Sequence, residues 1–294
     1  MLHQIILYSL TFISGLFFGS FLNLVADRSI KGEKILIGRS KCDFCKRPLK
    51  PINLIPLLSF IIQKGKCASC KKKISFYYPL SEILTGFTFV FAALFSGIFK
   101  NYYAATLIIF VYLLIAFSFY VILFLTDMKY KLIPNRIVYP AILFVFCFLI
   151  FNTIYYFVSY YYQLKNDEFG IFLLQAGYLN MQIYSALKSF GLLLLSAFGI
   201  ATFFYFLVFI TKGRGMGEGD IRLGLLIGLF NGFPYNILAI FFAFVIGAIY
   251  SVILIIFGKK SIKDTIAFGP FLLISSVIIL FFGSRIWQFY INLF

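Results

Sequence analysis

Apolar runs of about 20 residues alternate along this sequence with short segments rich in Lys, Gly and Pro. A run of that length crosses about 30 Å of hydrocarbon as a helix, and a helix satisfies its own backbone inside lipid. The pattern predicts spans near 4–26, 79–98, 104–126, 137–158, 186–210, 221–233, 236–257 and 266–283. The expected fold class is an all-α polytopic membrane protein with about eight transmembrane helices. Span 221–233 is short and stops at Phe233-Pro234, which makes it a tilted or partial span. Residues 27–78 break the pattern because no run there is long enough to cross. They read as a small cytoplasmic domain between a first helix, 1–26, and a multi-helix domain, 79–294. Inside that small domain, the apolar stretch 53–62 is expected to lie on the membrane surface.

Composition removes the soluble alternatives. The chain is 62% hydrophobic and 12% charged, well above the apolar share of about half found in globular domains. The net charge of +16 would suggest nucleic acid in a soluble protein, but here the positions of the charges show topology instead, and no nucleic-acid partner is expected. With the N-terminus outside, segments 27–78, 127–136, 211–222 and 258–265 face the cytoplasm and hold 22 of the 26 Lys and Arg. The outer side keeps Lys100, Lys165, Lys188 and Arg285. This asymmetry puts both termini outside the membrane. The first run has no basic residue before it, so it reads as a retained helix rather than a cleaved signal. The longest outer loop, 159–185, is flanked by Tyr155-Tyr156 and Tyr160-Tyr161-Tyr162, an interfacial aromatic belt.

The cytoplasmic domain carries Cys42-Asp43-Phe44-Cys45 and Cys67-Ala68-Ser69-Cys70. Two such pairs separated by about 20 residues match a four-thiolate zinc site, each turn offering two ligands. Disulfides are the alternative, and a reducing cytoplasmic face argues against them. A domain this small buries little apolar surface, so the metal would supply folding free energy. Cys147 stands alone in a span and reads as a lipid- or core-facing small residue.

With ten acidic residues in the chain, acids at span boundaries call for a reason. Asp127 ends the third span and Asp220 starts the sixth, at the same predicted face. Each has a plain structural reading. Asp127 can close a helix and pair with Lys129 or Lys131. Asp220 can be a helix N-cap after Gly217 and Gly219. Glu218 can pair with Arg214 or Arg222, whereas Glu82 lies inside an apolar run with no local partner. Together, two Asp allow acid–base peptide hydrolysis: one carboxylate takes a proton from water while its protonated partner gives one, the pair sharing a proton. Glycines before Asp220 let an extended substrate approach. His3 is the only histidine and lies near the N-terminus, so no Ser/His pair or His-ligated zinc competes. A site closed by four cysteines leaves zinc no open position for catalysis.

These motifs resemble the type IV prepilin peptidase family, bacterial membrane aspartyl proteases. The residues that carry the likeness are Gly215 with Met216-Gly217-Glu218-Gly219-Asp220, Asp127 with Ile133-Pro134-Asn135, and Gly19-Ser20-Phe21-Leu22-Asn23. The paired cysteines, Asn53-Leu54-Ile55-Pro56, Tyr78-Pro79-Leu80-Ser81-Glu82 and Phe268-Gly269-Pro270-Phe271 complete it in order. The resemblance implies removal of a short basic leader from prepilins or pseudopilins, after a glycine, at the cytoplasmic face. It also implies S-adenosylmethionine-dependent methylation of the new N-terminus. Asp127 and Asp220 carry over as the catalytic pair, with Gly217, Gly219 and Pro134 supporting them. Cys42, Cys45, Cys67 and Cys70 carry over as structural zinc ligands. Glu82 is placed as a polar anchor for the cofactor or the new amine. The chain departs from the family where Asp27-Arg28-Ser29-Ile30 replaces a run toward Arg-Leu-Pro, and where Phe60 replaces Trp. A protease without methyl transfer, a zinc-domain scaffold of a pilus or secretion machine, and a proton-coupled transporter are the competing readings.

Overall fold

The protein is described here by a computed structural model covering residues 2–35, 40–42, 44–101, 103–213, 215–258 and 266–292. Its elements are helical: α1 (Leu2–Lys31), α2 (Leu58–Ile62), α3 (Tyr77–Ser96), α4 (Ala104–Tyr130), α5 (Asn135–Lys165), α6 (Glu168–Gln175), α7 (Tyr178–Ile210), α8 (Glu218–Asn231), α9 (Tyr235–Ile256) and α10 (Gly269–Ile291). Among the described residues, α1, α3, α4, α5, α7, α9 and α10 are long and apolar enough to cross a membrane. The remaining expected span is the 14-residue α8. At 1.5 Å per residue it reaches about 21 Å, short of the hydrocarbon thickness.

Helix ends differ from the hydropathy reading where charge and backbone disagree. The first span, expected at 4–26, continues to Lys31 with Arg28 and Lys31 in the last turn. Charge ends an apolar run without ending a helix, and cations suit a helix C-terminus. The expected outer loop 159–185 is mostly helical. Helix α5 runs through the tyrosine cluster to Lys165. Helix α6 then starts at an Asp167 N-cap whose carboxylate accepts from Gly170 N–H at 3.1 Å. Apart from Gly258, the expected cytoplasmic segment 258–265 lies outside the described residues, as do Asp43 and Arg214. Cys147 is exposed on α5.

The chain divides into two compact units, residues 1–137 and 138–294. In the first unit, α1 lies closely against α3. A Cβ on Gly15 would come within 2.7 Å of Gly86 Cα, and one on Gly19 within 2.8 Å of Glu82 Cα. Small residues four apart let two helix backbones meet in this way. Just beyond, Asn23 Nδ2 donates to Ser81 Oγ at 2.6 Å, which in turn donates to Tyr78 O at 2.7 Å. Tyr77 OH donates to Leu125 O at 3.1 Å and ties α3 to the last turns of α4.

The second unit uses the same device once more. A Cβ on Gly228 would stand 2.7 Å from Ala197 Cα, and Gly224 faces the Phe204 ring. These glycines sink α8 against α7, and Leu223, Leu226 and Ile227 are wholly buried. The far end of α8 is pinned by polar groups. Asn231 Nδ2 donates to Ser276 O at 2.9 Å, and Asn236 Nδ2 donates to Ser196 Oγ at 2.7 Å.

Candidate active site and zinc centre

The two cysteine turns share one backbone plan. Cys42 N–H bonds Arg47 O at 3.0 Å and Lys46 N–H bonds Cys42 O at 3.0 Å. Cys67 N–H bonds Lys72 O at 2.9 Å and Lys71 N–H bonds Cys67 O at 3.0 Å. The residue after each second cysteine, Lys46 or Lys71, is left-handed at φ 57° and 58°. All four Sγ atoms lie within 4.8 Å of one another, with Cys42 and Cys70 at 3.9 Å. Tetrahedral zinc with bonds of about 2.3 Å asks for sulfurs about 3.8 Å apart. The donor set is all thiol, a set that suits zinc. The backbone N–H of Cys70, then that of Ser69, pulls the Cys67 thiol down to about 6. The Lys72 N–H pulls the Cys70 thiol down, but burial and the hydrogen bonds of the neighbouring thiols together push it up to about 11. Four thiols deprotonated together at this spacing would repel one another, and a divalent cation between them removes that cost. The cluster fits zinc and leaves it no open coordination position.

Asp127 sits in the last turn of α4 and is 5% exposed. Its backbone carbonyl accepts from Lys131 N–H at 2.9 Å, and Lys131 is left-handed at φ 52°, so the helix stops there. Pro134, buried, precedes the start of α5. The expected pairing of Asp127 with Lys129 is not what forms. Lys129 Nζ reaches Asp27 on α1, at 2.8 and 3.0 Å from its two oxygens. A long side chain chose a partner 102 residues away over one two residues away, because helix neighbours at that spacing point to different faces.

Asp220 is 8% exposed and opens α8. It is the third helical residue rather than the expected N-cap, which is Gly217. Its Oδ2 accepts from Gly217 N–H at 3.1 Å. Gly217 has φ −85°, and a Cβ there would meet nothing closer than 3.9 Å. The fold therefore does not require glycine at 217. Gly219 lies half-buried in the first turn. Glu218 faces Arg222 at 3.7 Å, as one of its two expected pairings.

Glu82 is buried on α3, and its partner comes from outside its own run. Leu57 N–H donates to its Oε2 at 2.9 Å, with Ser20 also bonding to it. Leu57 is left-handed at φ 57° just before α2, so Glu82 holds a strained bend of the segment between the two cysteine turns. Ile61 and Ile62 of α2 are exposed. Glu82, Asn23, Asp27, Asn53, Tyr78 and Lys129 line a cavity of about 1090 Å³ in the first unit, walled on one side by the cysteine turns. Reasoning from sequence missed Asp27. The one signal was its place at the departure from the family's usual run. It also missed the cavity, whose lining comes from α1, both cysteine turns, the stretch between them, α3 and α4.

Residues 13–96 match the profile of the bacterial peptidase A24 N-terminal domain, and residues 114–252 that of the type IV leader peptidase family. A prepilin leader peptidase/N-methyltransferase of Bacillus subtilis is 32% identical over 285 residues, covering 97% of this chain and 98% of the relative. One of Pseudomonas aeruginosa is 27% identical, covering 99% and 95%. One of Legionella pneumophila is 27% identical, covering 88% and 77%. No solved structure matches the chain. The two profiles take in both cysteine turns and both boundary acids, and the likeness to the Bacillus subtilis relative runs nearly end to end; the chain belongs to the type IV leader peptidase family.

Proposed function

We propose that this protein is a prepilin leader peptidase and N-methyltransferase whose cleavage step runs on Asp127 and Asp220. It removes the basic leader of a prepilin or pseudopilin after a glycine, at the cytoplasmic face, with both termini outside. The observation that carries the reading is that these two acids are buried, one in the last turn of α4 and one in the first turn of α8. Buried acids in apolar helices are functional by default.

The residues suggest separate roles. Asp220 accepts the Gly217 N–H at a helix N-terminus, where the dipole favours negative charge. It serves as the base that takes a proton from water. Asp127 then carries the shared proton and gives it to the leaving amine. Gly217, free of steric demand from the fold, leaves room for an extended substrate backbone. Pro134 holds the turn that follows Asp127.

Methyl transfer belongs, in this reading, to the cavity of the first unit beside the zinc module of residues 27–78, while proteolysis belongs to the helices after residue 79. S-adenosylmethionine, when bound, supplies an electrophilic methyl group. Buried Asn23 and Glu82, which line the cavity, would hold the new amine there. Zinc, held by Cys42, Cys45, Cys67 and Cys70, keeps the cavity wall folded.

The test is mass spectrometry of a purified prepilin incubated with the protein in liposomes, with and without S-adenosylmethionine. The expected product lacks the leader and, only with the cofactor, gains one methyl mass. A folded, zinc-loaded protein that cuts no member of a panel of prepilins would overturn the reading in favour of a scaffold.

A further inference from the structure

The Lys129 ammonium is enclosed as a ligand would be. Its Nζ lies 2.8 Å from Asp27 Oδ1 and 3.0 Å from Oδ2. The ring centroids of Tyr77, Tyr78 and Tyr130 stand 5.3, 5.4 and 5.2 Å from it. Tyr130 OH donates to Asp27 Oδ1 at 2.9 Å and fixes the carboxylate. Three helices supply these groups: α1 the acid, α3 two rings, α4 the third ring. An ordinary ion pair needs one acid and one base. Three aromatic faces around one cation, backed by a carboxylate, are the recognition set for an onium group removed from water. The set opens on the cavity of the first unit, which Asp27, Tyr77, Tyr78 and Lys129 all line. Lys129 itself is 30% exposed on its side chain, against 14% for Asp27, so the cation is the movable member and the acid the fixed one.

We infer that Asp27, Tyr77, Tyr78 and Tyr130 form an onium-binding subsite and that Lys129 is a built-in competitor filling it at rest. The inference rests on the proposed methyl transfer, which brings two onium groups to this cavity: the sulfonium of S-adenosylmethionine and the N-terminal ammonium of the cleaved substrate. Either matches the charge that Lys129 places there. When the ligand enters, Lys129 leaves on its flexible stem toward the open side of the cavity.

The test compares charged and neutral ligand pairs by titration calorimetry on the full, zinc-loaded chain in detergent. One arm sets S-adenosylmethionine against S-adenosylhomocysteine, which differ in the sulfonium charge while sharing an ammonium. The other sets a mature prepilin N-terminal peptide with a free amine against its N-acetylated form. Lys129→Met is expected to raise the preference for the charged member about tenfold in at least one arm. Asp27→Asn is expected to remove that preference. Tyr78→Leu, which keeps every charge, is expected to weaken it and guards against a misfolded Asp27 variant. The arm that moves tells sulfonium from ammonium. If neither ratio moves in any variant, the inference is overturned. If the wild type cuts and methylates while the ratios stay fixed, the subsite fails and the proposed function stands. If it does neither and Lys129→Met still sharpens onium binding, the subsite stands and the proposed function fails.

Discussion

The two units of this chain close on the same device and use it for different ends. In residues 1–137, Gly15 and Gly19 bring α1 onto α3, and the contact delivers Asn23, Ser81 and Glu82 to one place. In residues 138–294, Gly224 and Gly228 bring α8 onto α7, and the contact sinks a short helix headed by Asp220. The first unit is rich in buried polar groups, among them Asn23, Arg28, Ser81, Glu82 and Asp127. The second buries fewer among its described residues, and the apolar window of α7 is only 17% buried against 50% for α3. Close helix contact is therefore cheap for this chain in either setting. What separates the units is what the contact carries: a polar cavity walled by a metal module in one, a single acid at a helix start in the other.

The largest effect expected from this contrast concerns the zinc module. Structural zinc contributes on the order of 10 kcal/mol to modules of this size. Cys67→Ser should release zinc, measurable by metal analysis, and should cost methyl transfer far more than cleavage, because the cavity wall belongs to the first unit alone. Equal loss of both activities would break the division of labour.

Next come the glycine contacts. Gly15→Leu and Gly228→Leu each push a side chain against backbone, at a cost of about 1–3 kcal/mol. Thermal unfolding should show similar losses for both. Methyl transfer should fall most in the first, cleavage most in the second, as read by product mass. Identical activity profiles would mean that the two contacts serve stability only.

Much of this plan was legible in the sequence. Hydropathy placed the spans because lipid imposes one solution on the backbone. The paired cysteines and the boundary acids stood out because such residues are rare in this composition. What stayed hidden was set by distance. Glu82 finds its donor at Leu57, 25 residues away, and Lys129 finds Asp27 rather than Asp127. No local pattern encodes those choices. The glycine pairs were present in the sequence but became informative only once each had a neighbouring helix. Helix α6 had a local signal, the Asp167 cap, masked by the expectation that polar residues between spans form loop.

A smaller effect follows at Gly217. Its ordinary φ and open surroundings predict that Gly217→Ala keeps stability within about 0.5 kcal/mol. Cleavage of a prepilin should still fall several-fold, through KM, if a substrate backbone passes there. An unchanged KM would remove the approach argument. The smallest effect lies in the metal module: Lys71→Gly relieves a left-handed residue and should raise thermal stability slightly, by under about 1 kcal/mol, with zinc content unchanged.

Asp127 and Asp220 are proposed to act as a pair. The most direct measurement is the rate of prepilin cleavage by Asp127→Asn, by Asp220→Asn and by the double variant, each verified as folded by its zinc content and thermal transition. Groups that act as a unit lose as much singly as together. Each single variant should fall about 10²- to 10⁴-fold and match the double. A single variant that cuts near the wild-type rate, or a double far below both singles, would contradict the pairing.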